Sequence, residues 1–166
     1  MTVGGPIISS LSQSFASNNT NRVVVVTGEN FKADSVVFLG SLKLNATIPS
    51  AVVFDSPTQL TLTIPAGLDV HMYKLQIVNP SGEKDTLKQA LKVRVGFDAD
   101  MTKGDHNIQL KALKKRLIGY GFFHGKVNPV FDTPLENALQ LYQKSLGLAT
   151  TGRLDFLTRN ALNTNQ

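Results

Sequence analysis

The feature that most constrains this chain is a change of hydrophobic period near Gly96. Before it, apolar and polar residues alternate. Leu60, Leu62 and Ile64 alternate with Thr61 and Thr63; Tyr73, Leu75 and Ile77 with Lys74 and Gln76; Leu91, Val93 and Val95 with Lys92 and Arg94. A period of two sends one set of side chains to a buried sheet face and the other to water. The spacing predicts strands over 22–27, 35–39, 59–64, 72–78 and 91–95, separated by turn formers such as Gly28-Glu29-Asn30 and Asn79-Pro80-Ser81-Gly82. After Gly96 the period becomes helical. Leu110, Leu113, Leu117 and Tyr120 form one stripe, flanked by Lys111, Lys114, Lys115 and Arg116, with Asp105 as the expected N-cap. Thr133-Pro134-Leu135-Glu136 reads as a capping box ahead of the stripe Leu135, Ala138, Leu139, Tyr142 and Leu146, which Gly147 stops. A third, short helix is expected behind Asp155, carrying Leu157, Ala161 and Leu162.

Two periods in 166 residues predict two small domains, residues 1–97 and 98–166, with the polar segment Phe97–Gly104 as linker. About seven short strands in the first part suit an immunoglobulin-like sandwich. The fold class expected is multidomain: an N-terminal all-β immunoglobulin-like sandwich plus a C-terminal all-α three-helix bundle.

Composition narrows the chemistry. The hydrophobic share of 42% supplies a core. The absence of cysteine removes disulfides, thiol catalysis, Fe–S clusters and Cys-type zinc sites. No apolar run approaches the ~20 residues of a membrane-spanning helix, so no membrane partner is expected. The N-terminus lacks a basic stretch and a long apolar stretch, so export through a Sec signal peptide is not expected. The charge of +5 is spread over both parts, which does not make a nucleic-acid clamp.

The first part resembles the IPT/TIG domain, an immunoglobulin-like module. The resemblance rests on Pro6-Ile7, on Val23, Val25, Thr27, Gly28, Asn30 and Phe31, on Val36, Phe38 and Gly40, on Leu60–Gly67, and on Tyr73, Leu75, Val78, Asn79, Pro80 and Gly82. It implies a tight or left-handed backbone at Gly28 and a plugging role for Phe31. It implies a fold and no chemistry, since the module serves many functions.

The second part resembles the peptidoglycan-binding-like domain, a three-helix module attached to cell-wall hydrolases. The matches are Gly104-Asp105, Leu110, Leu113, Leu117, Gly121-Phe122, Gly125, Phe131, Ala138-Leu139, Tyr142-Gln143, Gly147-Leu148, Gly152, Thr158 and Ala161-Leu162. The stretch 142–155 is close to the version in metalloprotease propeptides. Lys114 stands where many members have Gln, and Pro129, Asp132 and Asp155 replace frequent glycines. The propeptide's cysteine switch is absent from the sequence, and no catalytic domain is expected.

No catalytic constellation stands out. His71, His106 and His124 form no metal-ligand motif, the acids make no pair suited to glycoside hydrolysis, and no Gly-x-Ser-x-Gly or phosphate loop is present. No enzyme activity, metal or cofactor is expected. Lys114-Lys115-Arg116 reads first as a wet helix face. Tyr120, Phe122 and Phe123 put three aromatics in four residues; Tyr120 and Phe122 are expected in the core and Phe123 on the surface. The candidate binding residues are then Phe123, His124, Lys126 and Asn128, helped by Arg153, whose guanidinium suits a carboxylate. The function expected is non-catalytic binding or structure. The first placement is a bacteriophage virion, as a decoration or tail-associated protein docked through residues 1–5 or the β half onto capsid or tail proteins, with peptidoglycan as a further partner. The alternative is a wall-targeting module, extracellular or on the cell wall, associated with a hydrolase.

Overall fold

The computed structural model of the chain describes residues 4–47 and 51–164; residues 1–3 of the expected docking arm lie outside the described residues. The chain divides into two compact units, Met1–Arg94 and Val95–Gln166.

The first unit is a sandwich of two sheets. In chain order come β1 (Ile7–Leu11), β2 (Phe15–Ser17), β3 (Arg22–Glu29), β4 (Val36–Leu39), β5 (Leu42–Lys43), the short helix α1 (Leu44–Thr47), β6 (Val52–Ser56), β7 (Gln59–Ile64), β8 (Met72–Val78) and β9 (Lys84–Arg94). One sheet runs β1-β3-β7-β6 and the other β2-β9-β8-β4-β5. Their inner faces follow the alternation: Val24, Val26, Leu60, Leu62 and Ile64 meet Val37, Leu39, Leu75, Ile77, Leu91 and Val93 in one core. β7 and β8 span the residues that the period marks. β9 begins earlier than expected, because Lys84–Leu87 pairs with Leu75–Val78 through backbone ladders that need no apolar alternation. β2 runs parallel to its neighbour β9.

Gly28 corrects an expectation. It lies inside β3 and serves close approach, not a left-handed turn. A Cβ there would stand 1.9 Å from the Ile7 carbonyl oxygen and 2.5 Å from the Phe31 ring. Phe31 is fully buried in the sandwich core, so the absent side chain lets β1 and that ring close together.

The second unit holds α2 (Gln109–Gly119), α3 (Thr133–Ser145) and α4 (Phe156–Thr164). Leu110, Leu113 and Leu117 of α2 meet Leu135, Ala138, Leu139 and Tyr142 of α3, with Leu154 and Leu162. The segment Phe97–Gly104, expected as a linker, is built into this unit. Phe97 and Met101 join its core. The Phe97 amide donates to Asn163 Oδ1 at 3.0 Å, and its carbonyl accepts from Asn163 Nδ2 at 2.9 Å. Among the described residues no helix is long and apolar enough to cross a membrane, which leaves β-barrels untouched.

The helix starts differ from expectation in two cases. α3 is capped by Asp132, not Thr133: Asp132 is extended (φ −98°, ψ 170°) and its Oδ1 accepts from the Leu135 amide at 3.1 Å. Pro134 still sits in the first turn, where its missing N–H costs nothing. Asp105 does not cap α2. Its carboxylate accepts from the Thr102 amide at 2.7 Å, and Asn107 takes the Gln109 amide at 2.8 Å. Asp155 caps α4 as expected, taking the Thr158 amide at 2.9 Å. Leu157 faces solvent instead of the core; Thr158 and Leu162 hold the buried face.

Candidate functional site

The expected site residues fall in two places. Phe123 is 1% exposed and is a core residue, so it offers no surface platform. The helical period ends at Gly119–Gly121, and that ending decides the matter. Gly121 is left-handed (φ 81°), and the Phe122 and Phe123 amides both turn back to the Leu117 carbonyl at 2.8 and 3.2 Å. This turn sends Phe123 inward and leaves Tyr120 and Phe122 half-buried against Tyr142, with ring centroids 5.8 and 5.6 Å away. Gly125 lies over the Phe123 ring, where a Cβ would approach within 2.7 Å.

Lys114 corrects the wet-face reading of its run. Its side chain is 0% exposed, and its ammonium donates to Asn128 Oδ1 at 2.7 Å and Asp132 Oδ2 at 2.8 Å, 5.3 Å from the Phe123 ring centroid. Two departures from the peptidoglycan-binding pattern, Lys114 and Asp132, thus meet as an ion pair. Asn128 is committed to this lock and also accepts from the Val130 amide at 3.2 Å. Arg116 is spent on structure as well, donating to the carbonyls of Leu162 and Val95 at 2.9 and 2.8 Å. His124 and Lys126 remain exposed on this loop.

Arg153 lies elsewhere, on the turn before α4. Gln143, fully buried, builds that turn. Its Oε1 accepts from the Gly152 amide at 2.9 Å, and its Nε2 donates to the Arg153 carbonyl at 2.9 Å and to the hydroxyls of Thr151 and Thr158 at 3.0 and 2.8 Å. Gly152 is left-handed (φ 68°) and packs on the Glu136 and Gln140 stems. The turn presents Arg153 at a cleft of about 200 Å3, together with Asp100, Met101, Thr102, Asp105 and Asp155. Among the described residues no carboxylate pairs with its guanidinium.

The surface aromatic beside this cleft is Phe156, 66% exposed. Arg159 stands 5.8 Å from its ring centroid and pairs with Asp100 at 2.7 Å, which ties the ring to the cleft wall. The sequence reading missed Phe156; the signal that marks it is an aromatic at a helix start, directly after the capping Asp155. Asp155 is the best-anchored acid here. Burial pushes its carboxyl up, but the hydroxyls and amide of Thr158 and Thr151 and the charge of Arg159 hold it below the ordinary aspartate value. The arrangement offers a guanidinium donor at Arg153, in a cleft whose lining also carries Asp100, Asp105 and Asp155, and an exposed apolar ring at Phe156. Among the described residues no group of three or more His, Asp or Glu is placed to hold a metal.

Two family models match the chain. The family model described as the IPT/TIG domain matches residues 6–94, and the one described as a putative peptidoglycan binding domain matches residues 107–162. Metalloendoproteinase 1-MMP of Arabidopsis thaliana is 34% identical over 90 residues, 48% of this chain and 25% of that protein. Among solved structures, an auxiliary nutrient binding protein from Bacteroides ovatus is similar with a TM-score of 0.41 and 15% identity, over 62% of this chain and 24% of that one. A surface glycan-binding protein from Prevotella bryantii is similar with a TM-score of 0.42 and 17% identity, over 68% and 25%. The chain spans about a quarter of the length of these relatives. With its first unit matched almost end to end, the chain belongs to the IPT/TIG domain family, and a peptidoglycan-binding-like domain of the metalloprotease-propeptide type follows.

Proposed function

We propose that the chain is a non-catalytic binding protein of the cell wall, whose helical unit grips carboxylate-bearing wall polymer at Arg153 and Phe156. The observation that carries this reading is the guanidinium of Arg153, which no carboxylate pairs among the described residues, on a turn built by buried Gln143 and beside an exposed aromatic. The peptidoglycan-binding match over residues 107–162 supports the polymer class. Wall peptides end in carboxylates, and a bidentate guanidinium contact selects them. His124 and Lys126 form a secondary rim on the other loop.

Sedimentation with purified peptidoglycan tests this. The parent chain pellets with the polymer. Arg153→Ala combined with Phe156→Ala loses at least about tenfold in bound fraction while its helical circular dichroism is retained. His124→Ala with Lys126→Ala changes binding by less than about twofold. A parent chain that stays in the supernatant, or an Arg153/Phe156 variant that pellets like the parent, overturns the reading. Placement on a bacteriophage virion, with the helical unit outward, makes a different prediction: antibody to the chain labels purified particles whether or not peptidoglycan is bound.

A further inference from the structure

The two sheets of the first unit differ in charge. The strands of the five-stranded sheet carry Lys43, Lys74, Lys84, Lys88, Lys92 and Arg94 against one carboxylate, Asp85. The strands of the four-stranded sheet carry Arg22 against Glu29 and Asp55. Register gathers the lysines on one side. Leu75 and Ile77 point into the core, so Met72, Lys74, Gln76 and Val78 point out. Lys92 pairs with Met72 and Lys84 with Val78, which puts both on that outer side. Asp85 pairs with Ile77 and turns away, its Oδ2 accepting from the Ile8 amide at 2.7 Å. Lys74, Lys84, Lys88 and Lys92 are all exposed, and among the described residues no carboxylate lies within ion-pairing distance of them.

This side also holds a cleft. It has a volume of about 410 Å3 and lies between the Gly40–Ser41 turn and Lys88–Gln89, with His71, Met72, Tyr73 and Lys74 between them. That volume is within the ~300–1,000 Å3 of small-molecule sites. The register slips between Tyr73 and Leu75, a bulge opposite Lys88–Ala90. Gln89 sits there at φ 51°, a left-handed conformation that a non-glycine residue adopts at a cost. The bulge brings Lys88 and Gln89 to the cleft wall facing Lys74. Gly40 has φ 63°, and a Cβ on it would stand 3.1 Å from the Tyr73 ring, which meets His71 edge-on at 5.4 Å.

We propose that this face binds an anionic polysaccharide, with one sugar unit seated in the cleft and carboxylates along the chain meeting the lysines. The spacing of the charges selects this class. Lys84, Lys88 and Lys92 recur every fourth residue, about 13 Å apart at ~3.3 Å per residue and somewhat closer across the bulge. A glycan carrying one carboxylate per disaccharide matches so sparse a row. Nucleic acid offers a phosphate every ~3.4 Å of axis per strand, and its readers use denser charge with arginine forks and stacked aromatics. Here the cations are lysine point charges, which accept carboxylates from many angles. The cleft adds amide, hydroxyl and imidazole groups suited to sugar hydroxyls.

The inference concerns the β unit and stands apart from wall binding by the helical unit. The full chain is passed over immobilised hyaluronate, whose repeat carries one carboxylate per disaccharide, and over its methyl-esterified form. Retention is expected on the acid form, falling with added salt, and not on the ester. Lys74→Gln with Lys88→Gln weakens retention about tenfold without moving the melting temperature, and does so equally in a chain already carrying Arg153→Ala and Phe156→Ala, which removes any share of the helical unit. Equal retention on the ester, or no effect of the lysine changes, overturns the proposal. Tighter binding to double-stranded DNA at equal charge concentration also overturns it and reassigns the face to nucleic acid.

Discussion

At the scale of single residues, the second unit is organised around polar side chains that are fully buried. Lys114 is out of solvent while its partner Asp132 remains half-buried, so the pair is asymmetric. Removing Asp132 strands a buried ammonium, whereas removing Lys114 leaves a carboxylate that water reaches. Asp132→Ala is therefore expected to cost about 3–5 kcal/mol in the helical unit, and Lys114→Ala about 2 kcal/mol. Thermal unfolding of the two variants checks the order; a costlier Lys114→Ala counts against this account. Asp155 makes a second residue-level prediction. Its folded carboxyl titrates below the ordinary value, so it contributes stability above the unfolded value, near pH ~4, and that contribution disappears as pH falls through the folded value. Asp155→Ala should then cost about 1 kcal/mol at neutral pH and progressively less in strong acid, as read from denaturant melts of the helical unit.

At the scale of elements, what starts and ends each one matters more than its stripe. Thr133 is already helical, so Thr133→Ala should shift stability by less than about 0.5 kcal/mol, while the Asp132 change melts the α3 start. In the sandwich, the β1–β3 contact depends on Gly28. A side chain there meets a carbonyl oxygen and a buried ring together, so neither can yield cheaply. Gly28→Ala is expected to destabilise the β unit by at least about 2 kcal/mol and to leave the helical unit's melting unchanged. A neutral effect would mean that β1 shifts away without cost. Elements with strong alternation, such as β7 and β8, were readable to the residue. β1, β2, β5 and β6 were not, because they are short or carry mixed faces whose pairing is fixed by backbone bonds to neighbours.

At the scale of the molecule, each unit has its own core, and we propose that each folds alone when the chain is divided between Arg94 and Val95. Phe97 supplies the test. It is 1% exposed in the helical core, beneath the Arg116 guanidinium at 4.8 Å from its ring centroid, and is tied twice to Asn163. A fragment starting at Val95 should be more stable than one starting at Asp98 by about 3 kcal/mol, in line with loss of a buried phenylalanine. Equal stabilities by chemical denaturation would place Phe97 outside the helical core in solution.

The sequence by itself determined the two-part division, the class of each part and the family resemblances, because hydrophobic period is a local property that packing obeys. It also marked the Asp155 cap, since cap chemistry acts over a few residues. The tertiary structure decided which aromatic faces water and which cation does not. Phe123 and Phe156 each have one polar and one apolar neighbour in sequence; one is turned inward by the left-handed Gly121 and the other stands on the open side of α4. Lys114 reads as one cation in a basic run. It is buried because Asn128 and Asp132, fourteen and eighteen residues away, come back to receive it. Burial is set by partners distant in the chain, and no local pattern carries that information.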